Sequence, residues 1–344
     1  MKLKNMSKTA IFFLGFTILY AIVVLANLGD ENNAGRIIFL AVVASIAIAL
    51  QLRLLSFTFN LVAFFKFMHL FLAVLYMWGV LFGKWAKRGD PDEGVFSADG
   101  GTGFGIIAVA LGVGFLVLAL MRIAGISKVL PGLGVEQLTI IFGIAAWMNI
   151  LAFIVGWLAT FEAGTGWGVV VAYFPASLIP QLGALTLAGT EPAEGITELD
   201  AGKRRAFSVV ALLAAVGVAL FPFLTYLSSG NISLSALEGR IGDSLSGPRF
   251  GYILLIFGAA AAVGALMRLR PQGLAEPGPN ALVGHVLFTV GLVAFLIPLA
   301  TLISIVRHEA NLSAGLGLWL GLAAGLVLIA VAVVENGIRG AVAA

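Results

Sequence analysis

Lys66 and His69 stand three residues apart in "FKFMHLFLAVLYMW" (65–78), a run otherwise apolar enough to cross a membrane. Ionisable groups are costly in hydrocarbon and mark a pathway, a ligand or a partner. Three residues apart, the two share a helix face. If the hydrocarbon begins near Leu61, a rise of 1.5 Å per residue places Lys66 ~8 Å deep and His69 ~12 Å deep. Lysine at that depth reaches the interface with its long stem. Histidine does not, which leaves two accounts of His69. One is a neutral imidazole hydrogen-bonded to a neighbouring helix; the other is a ligand, heme or proton-relay group.

Three further residues join these two in a candidate polar intramembrane site. Asn60 lies on the same run, Asn149 sits mid-span in "AAWMNILAF", and Gln181 lies in "YFPASLIPQLGALT". That last stretch also holds Pro175 and Pro180. Two prolines five apart free backbone carbonyls and break a helix in the way transporters build binding sites. Interior proline is also tolerated wherever neighbouring groups satisfy the freed carbonyls.

Other chemistries find few residues to work with. The chain has no cysteine, which excludes disulfides, thiolate catalysis, Cys-ligated zinc and iron–sulfur clusters. A bis-histidine heme needs two ligands at similar depth. His285 falls near the start of its span and His308 in an outer loop, so neither matches His69. "DPDEGVFSADGG" (90–101) begins like a calcium loop with Asp90 and Asp92, but its glycine comes one residue early and Gly101 stands where the bidentate Glu belongs. "GGTGFG" (100–105) follows no strand, which removes a phosphate loop, and "NIS" (231–233) is too common a pattern to weigh. His308, between Arg307 and Glu309, reads as a solvated turn, and "TEPAEGITELDAGKRR" (190–205) as an acidic link followed by a basic anchor. No nucleophile–base set is present. The expectation is no catalytic residue, no metal and no cofactor.

The elements that carry these residues are membrane helices. Of 344 residues 60% are hydrophobic and 11% charged, with a mean hydropathy of +1.07. Soluble domains are far more charged. The net charge of +3 is spread along span edges without a dense basic face, so nucleic acid is not a partner. Apolar runs place ten spans near 9–28, 36–55, 59–82, 104–123, 137–160, 167–189, 206–228, 250–268, 281–305 and 313–335. The first has a basic head, but its apolar part of about twenty residues and the poor cleavage site after it read as a retained span. With both termini in the cytoplasm, twelve Lys and Arg fall inside and seven outside, with Lys66 in a span. The positive-inside rule favours that orientation in a plasma membrane. "GKWAKRG" (83–89) pulls the other way, and would lie on outer headgroups with Trp85 as an interfacial anchor.

The spans repeat. "FGIIAVALGVGFLVLALMRIAG" (104–125) aligns without gaps with "FGYILLIFGAAAAVGALMRLRP" (250–271), an offset of 146 that also carries Pro131-Gly132 onto Pro277-Gly278. The expected fold is all-α: a two-helix segment (1–56), then parallel four-helix units at 59–189 and 205–335. Carried through, the offset puts Ala206, Leu212, Ala215, Phe295 and Val327 at the places of Asn60, Lys66, His69, Asn149 and Gln181. One unit is polar where the other is packing, which counts against an ordinary pseudo-symmetric carrier. Arg122 and Arg268 each close a helix, where the macrodipole and anionic headgroups favour a cation. Gly317, Gly321 and Gly325, four apart, form a helix-packing face for an internal helix or another subunit.

"LFPFLTYLSSGNISLSALEG", the span ending "ALMRL" and the Gly-rich last helix resemble four-helix integral membrane proteins widespread in bacteria. The resemblance implies a membrane four-helix fold and confers no activity. The function expected is a structural, scaffold or accessory subunit of a cell-envelope complex, in contact with the bilayer and with other membrane subunits or further copies of itself. The alternative is a transporter or channel with its site at Lys66, His69, Asn149 and Gln181.

Overall fold

Long apolar runs without water to satisfy their backbone must close every hydrogen bond within themselves, and helices do so. The computed structural model describes residues 61–87, 93–94, 96, 101–130, 133–158, 164–189, 201–229, 232–237, 240–241, 245–246, 249–269, 277–308 and 313–342. The 1–56 segment with its two expected spans, Asn60, and the Asp90 and Asp92 loop lie outside these residues. The described chain is built on eight helices: α1 (Leu61–Phe82), α2 (Gly101–Ile123), α3 (Val135–Phe153), α4 (Trp167–Gly189), α5 (Ala201–Leu220), α6 (Gly251–Leu269), α7 (Pro277–His308) and α8 (Leu316–Val342). Each contains a stretch long and apolar enough to cross a membrane, as in a multi-pass membrane protein. Phe67, Phe71, Trp78 and Phe82 on one side of α1 are exposed, which suits hydrocarbon and not water.

Successive helices run in opposite directions, so the connections fall at two ends. One end carries Arg122 and Arg268, and we call it the arginine end. The opposite end carries short strands that were not expected from the sequence. There β1 (Lys84–Lys87) pairs antiparallel with β2 (Glu93–Gly94) and β5 (Gly164–Thr165). Likewise β6 (Thr225–Ser229) pairs with β7 (Ile232–Ser235) and β10 (Ser313–Ala314). This hairpin end is sealed by rings. Trp85 packs on Phe153 at 5.2 Å, Phe153 on Phe104 at 6.1 Å, Phe104 on Phe250 at 6.4 Å and Phe250 on Tyr226 at 5.4 Å. Trp85 is therefore no headgroup anchor. It is fully buried, and its Nε1–H donates to Gly79 O at 2.9 Å. The exposed tryptophan pair is Trp78 with Trp167, centroids 5.4 Å apart. Burial holds the Tyr226 phenol well above the usual tyrosine range.

Close packing rests on small residues. A Cβ at Gly79 would meet Ala172 N at 2.8 Å, which brings α1 against α4. Gly143 of α3 lies under the Pro180 ring of α4. Helices α5 to α8 close a ring of neighbours, α5 against α6 and α8, α7 against α6 and α8; α7 also meets α2 and α3. The three glycines of the expected packing face on α8 are buried against this chain. A Cβ at Gly317 would lie 2.7 Å from Phe221 O, at Gly321 2.8 Å from the Phe221 ring, and at Gly325 2.6 Å from Phe295 N.

These contacts set an expected outcome. Gly321→Leu and Gly325→Leu must push α8 off its neighbours, at a cost of ~1–3 kcal/mol by analogy with overpacked soluble cores. Thermal melts in detergent will show a marked loss for both, and little change for Leu316→Ala, whose side chain is exposed.

Candidate functional site

The site is built at the arginine end, and its frame is the turn between α2 and α3. Gly125, at φ +77°, caps α2: Gly125 N–H donates to Arg122 O at 3.2 Å and Ile126 N–H to Met121 O at 2.9 Å. That pair of bonds is the Schellman arrangement, which needs a left-handed residue and so favours glycine. The chain then pairs β3 (Lys128–Leu130) with β4 (Leu133–Gly134). Helix α3 starts with Gln137 Oε1 accepting from Gly134 N–H at 3.0 Å. The result places Arg122, in the last turn of α2, beside Glu136, in the first turn of α3. Each charge also sits at the helix end whose dipole favours it.

Arg122 is an ion-paired interior residue, not a headgroup-facing one. It is 5% exposed and forms a salt bridge with Glu136, its Nε–H donating to Oε1 at 3.1 Å. Thr186 of α4 completes the set, donating to Glu136 Oε2 at 2.6 Å and lying 3.2 Å from Arg122 Nη2. Arg268, 0% exposed, is likewise ion-paired, with Glu335 of α8 at 1%. The expectation that both arginines meet lipid headgroups is overturned by this burial. A guanidinium keeps its proton even in low dielectric, so each arginine recruits a carboxylate from its own chain. Neither Glu136 nor Glu335 stands out in the sequence, because each reads as one more charge at a span edge.

His69 is fully buried, on the face of α1 that also carries Leu72, Ala73, Tyr76 and Val80. Its level is fixed by packing. Tyr76 meets Phe115 edge-on at 5.2 Å, and Gly112 abuts Met77 and Tyr76. The two helices are antiparallel, and seven residues is two turns on each. Stepping back from Tyr76 reaches His69, and stepping on from Phe115 reaches Arg122. The two are within electrostatic reach of each other. The hydrogen bond to a neighbouring helix expected of a neutral imidazole is not made: neither Nδ1 nor Nε2 has a partner, nor does the buried Arg122 Nη1. Lys66, one turn nearer the arginine end, is half-buried.

The other expected members do not join them. Asn149 donates to Phe104 O at 3.0 Å, eighteen residues and about 27 Å along α2 from Arg122. Gln181 donates to Ser177 O at 3.1 Å, one turn back on its own helix. Pro175 and Pro180 do not break α4, which runs unbroken from Trp167 to Gly189. His308 is the last residue of α7, not a loop residue, and no group of three or more His, Asp or Glu among the described residues suits a metal ion.

Comparison with protein-family models, curated proteins and solved structures returns no match. The functional reading therefore rests on the geometry.

The two ion pairs differ in a way that melting will detect. Glu335→Gln leaves Arg268 without the carboxylate it is paired with, whereas Glu136→Gln leaves Arg122 with Thr186. Removing one partner of a buried pair costs ~3–5 kcal/mol in soluble proteins. Both variants will melt below the wild type in detergent, Glu335→Gln by the larger margin.

Proposed function

We propose that this is a non-catalytic multi-pass protein of the plasma membrane that serves as a structural or accessory subunit of a cell-envelope complex. The observation that carries the reading is that the strongest polar contacts of its intramembrane groups are made within the chain. Asn149 and Gln181 each donate to a backbone carbonyl, and Arg268 and Glu335 pair with each other, while Asn149 Oδ1 and Arg268 Nε and Nη1 stay without a partner. A carrier keeps such groups available to cargo. The positive-inside count supports cytoplasmic termini and an arginine end facing the cytoplasm.

The reading includes a duplicated four-helix unit, and paired contacts support it. Gly166 N–H donates to Trp85 O at 3.0 Å, and Gly315 N–H to Tyr226 O at 2.9 Å. Phe104 and Phe250, equivalent in sequence, touch each other. In this reading the offset is not constant. It is 141 from Trp85 to Tyr226, 146 from Gly112 to Gly258 and 149 from Gly166 to Gly315. By burial Ala211 then replaces Ala215 as the counterpart of His69, and Glu335 becomes the counterpart of Thr186. The second unit keeps the arginine and moves its carboxylate to the last helix.

A second reading, a transporter or channel, is favoured by one observation: both His69 ring nitrogens, Arg122 Nη1, Asn149 Oδ1 and Arg268 Nε and Nη1 are buried without a partner.

Purification in mild detergent separates the two. The accessory reading expects other membrane polypeptides to co-elute in fixed ratio, and to be lost when the exposed face of α1 is altered by Phe71→Ser. A monodisperse chain that elutes alone and carries solute in liposomes would overturn it.

A further inference from the structure

Polar groups that make no bond in a buried, low-dielectric place are expensive, and they persist where something else uses them. Around Arg122 three such atoms gather: Arg122 Nη1 and both ring nitrogens of His69, all without a partner. The antiparallel register set by Tyr76 and Phe115 brings the two side chains level, on facing sides of α1 and α2. Four helices contribute to this end: α1 with His69 and Lys66, α2 with Arg122, α3 with Glu136, α4 with Thr186.

The charges decide what fits there. Arg122 and Glu136 already balance one another. The guanidinium still has a free donor edge, since Nε and Nη2 are engaged and Nη1 is not. An acceptor is wanted at Nη1, and a neutral acceptor leaves His69 unused. An anion there adds a negative charge to a balanced pair, and burial makes an unbalanced charge costly. One proton on His69 cancels it and turns the ring into a donor on both nitrogens. Lys66, half-buried one turn away, adds a positive field that favours an anion there. A lipid headgroup resting on the surface does not reach Nη1, which is buried.

We propose that His69 and Arg122, with Glu136 and Thr186 behind them, form a site for a small monoanion that binds together with one proton taken up by His69. Arg268, paired with Glu335, also has Nε and Nη1 without a partner. The site goes beyond the accessory role and stands or falls independently of whether partners co-elute.

The test uses the full chain in detergent, in a weakly buffered chloride-free sulfate medium, with chloride as the probe. Chloride will raise the melting temperature, and its half-saturating concentration will increase about tenfold per pH unit from pH 6 to pH 8, as one coupled proton requires. An indicator dye will register one proton taken up per chloride bound. His69→Gln will lose the uptake and the pH dependence. Glu136→Gln, which leaves Arg122 unbalanced, will bind chloride with no proton uptake and little pH dependence. The proposal is overturned by a folded wild type that shows no chloride-dependent shift. It is equally overturned by proton uptake that persists in His69→Gln, which would assign the proton to Glu136, or by an equal shift with added sulfate. Should His69→Gln fail to fold, His69→Asn takes its place in the same proton-uptake measurement.

Discussion

A guanidinium that is fully buried and keeps its proton is the constraint on which this end of the molecule depends. Arg268, with no exposed surface, closes α6 where the helix dipole welcomes a cation, yet a dipole alone does not offset the lost hydration. Glu335 supplies the opposite charge from α8, so neutralising one side chain fixes the register of two helices sixty-seven residues apart. Arg122 imposes the same need at the end of α2, and there the answer comes from the start of α3 and the last turn of α4. The tight turn at Gly125, the Gln137 bond at the head of α3 and the Gly143–Pro180 contact all serve to hold Glu136 and Thr186 where that charge requires them.

The opposite end is organised by shape rather than charge. Trp85, Phe153, Phe104, Phe250 and Tyr226 form a continuous run of rings from β1 to β6. Aromatic edges and faces pack there with little polarity to satisfy, apart from the Trp85 N–H, which Gly79 O accepts. A chain sealed by rings at one end and by internal ion pairs at the other presents mainly apolar helix faces to its surroundings. Such faces suit hydrocarbon rather than water.

Much of the helix plan was legible in the sequence, because about twenty apolar residues in a row leave the backbone few other solutions. The eight spans expected beyond residue 58 correspond to α1 to α8, most ends agreeing within five residues; α3 and α5 stop at Phe153 and Leu220, short of the expected 160 and 228, and α8 runs past 335 to Val342. The hairpins at β1–β2 and β6–β7 were not legible, since their residues alternate weakly and read as headgroup-level loops. Trp85 illustrates the difficulty: a tryptophan beside lysines suggests an interface, and only the turn after α1 folds it inward. Nor was the candidate site legible as a unit. His69 was visible because its type is rare in a span. Glu136 and Thr186 were not, because their meaning comes from Arg122, and pairing across helices leaves no mark in spacing. Asn149 and Gln181 drew attention by type alone, and each turned out to bond a carbonyl close at hand.

The central claim is that the buried arginines are neutralised within the chain and not by lipid headgroups. A double-mutant cycle on Arg268 and Glu335, with Met at each position, tests it through thermal melting in a neutral detergent. The account predicts that Arg268→Met and Glu335→Met each lower the melting temperature, and that the double variant melts above either, since removing both charges leaves none unpaired. Losses that simply add, so that the double variant melts lowest, would contradict it.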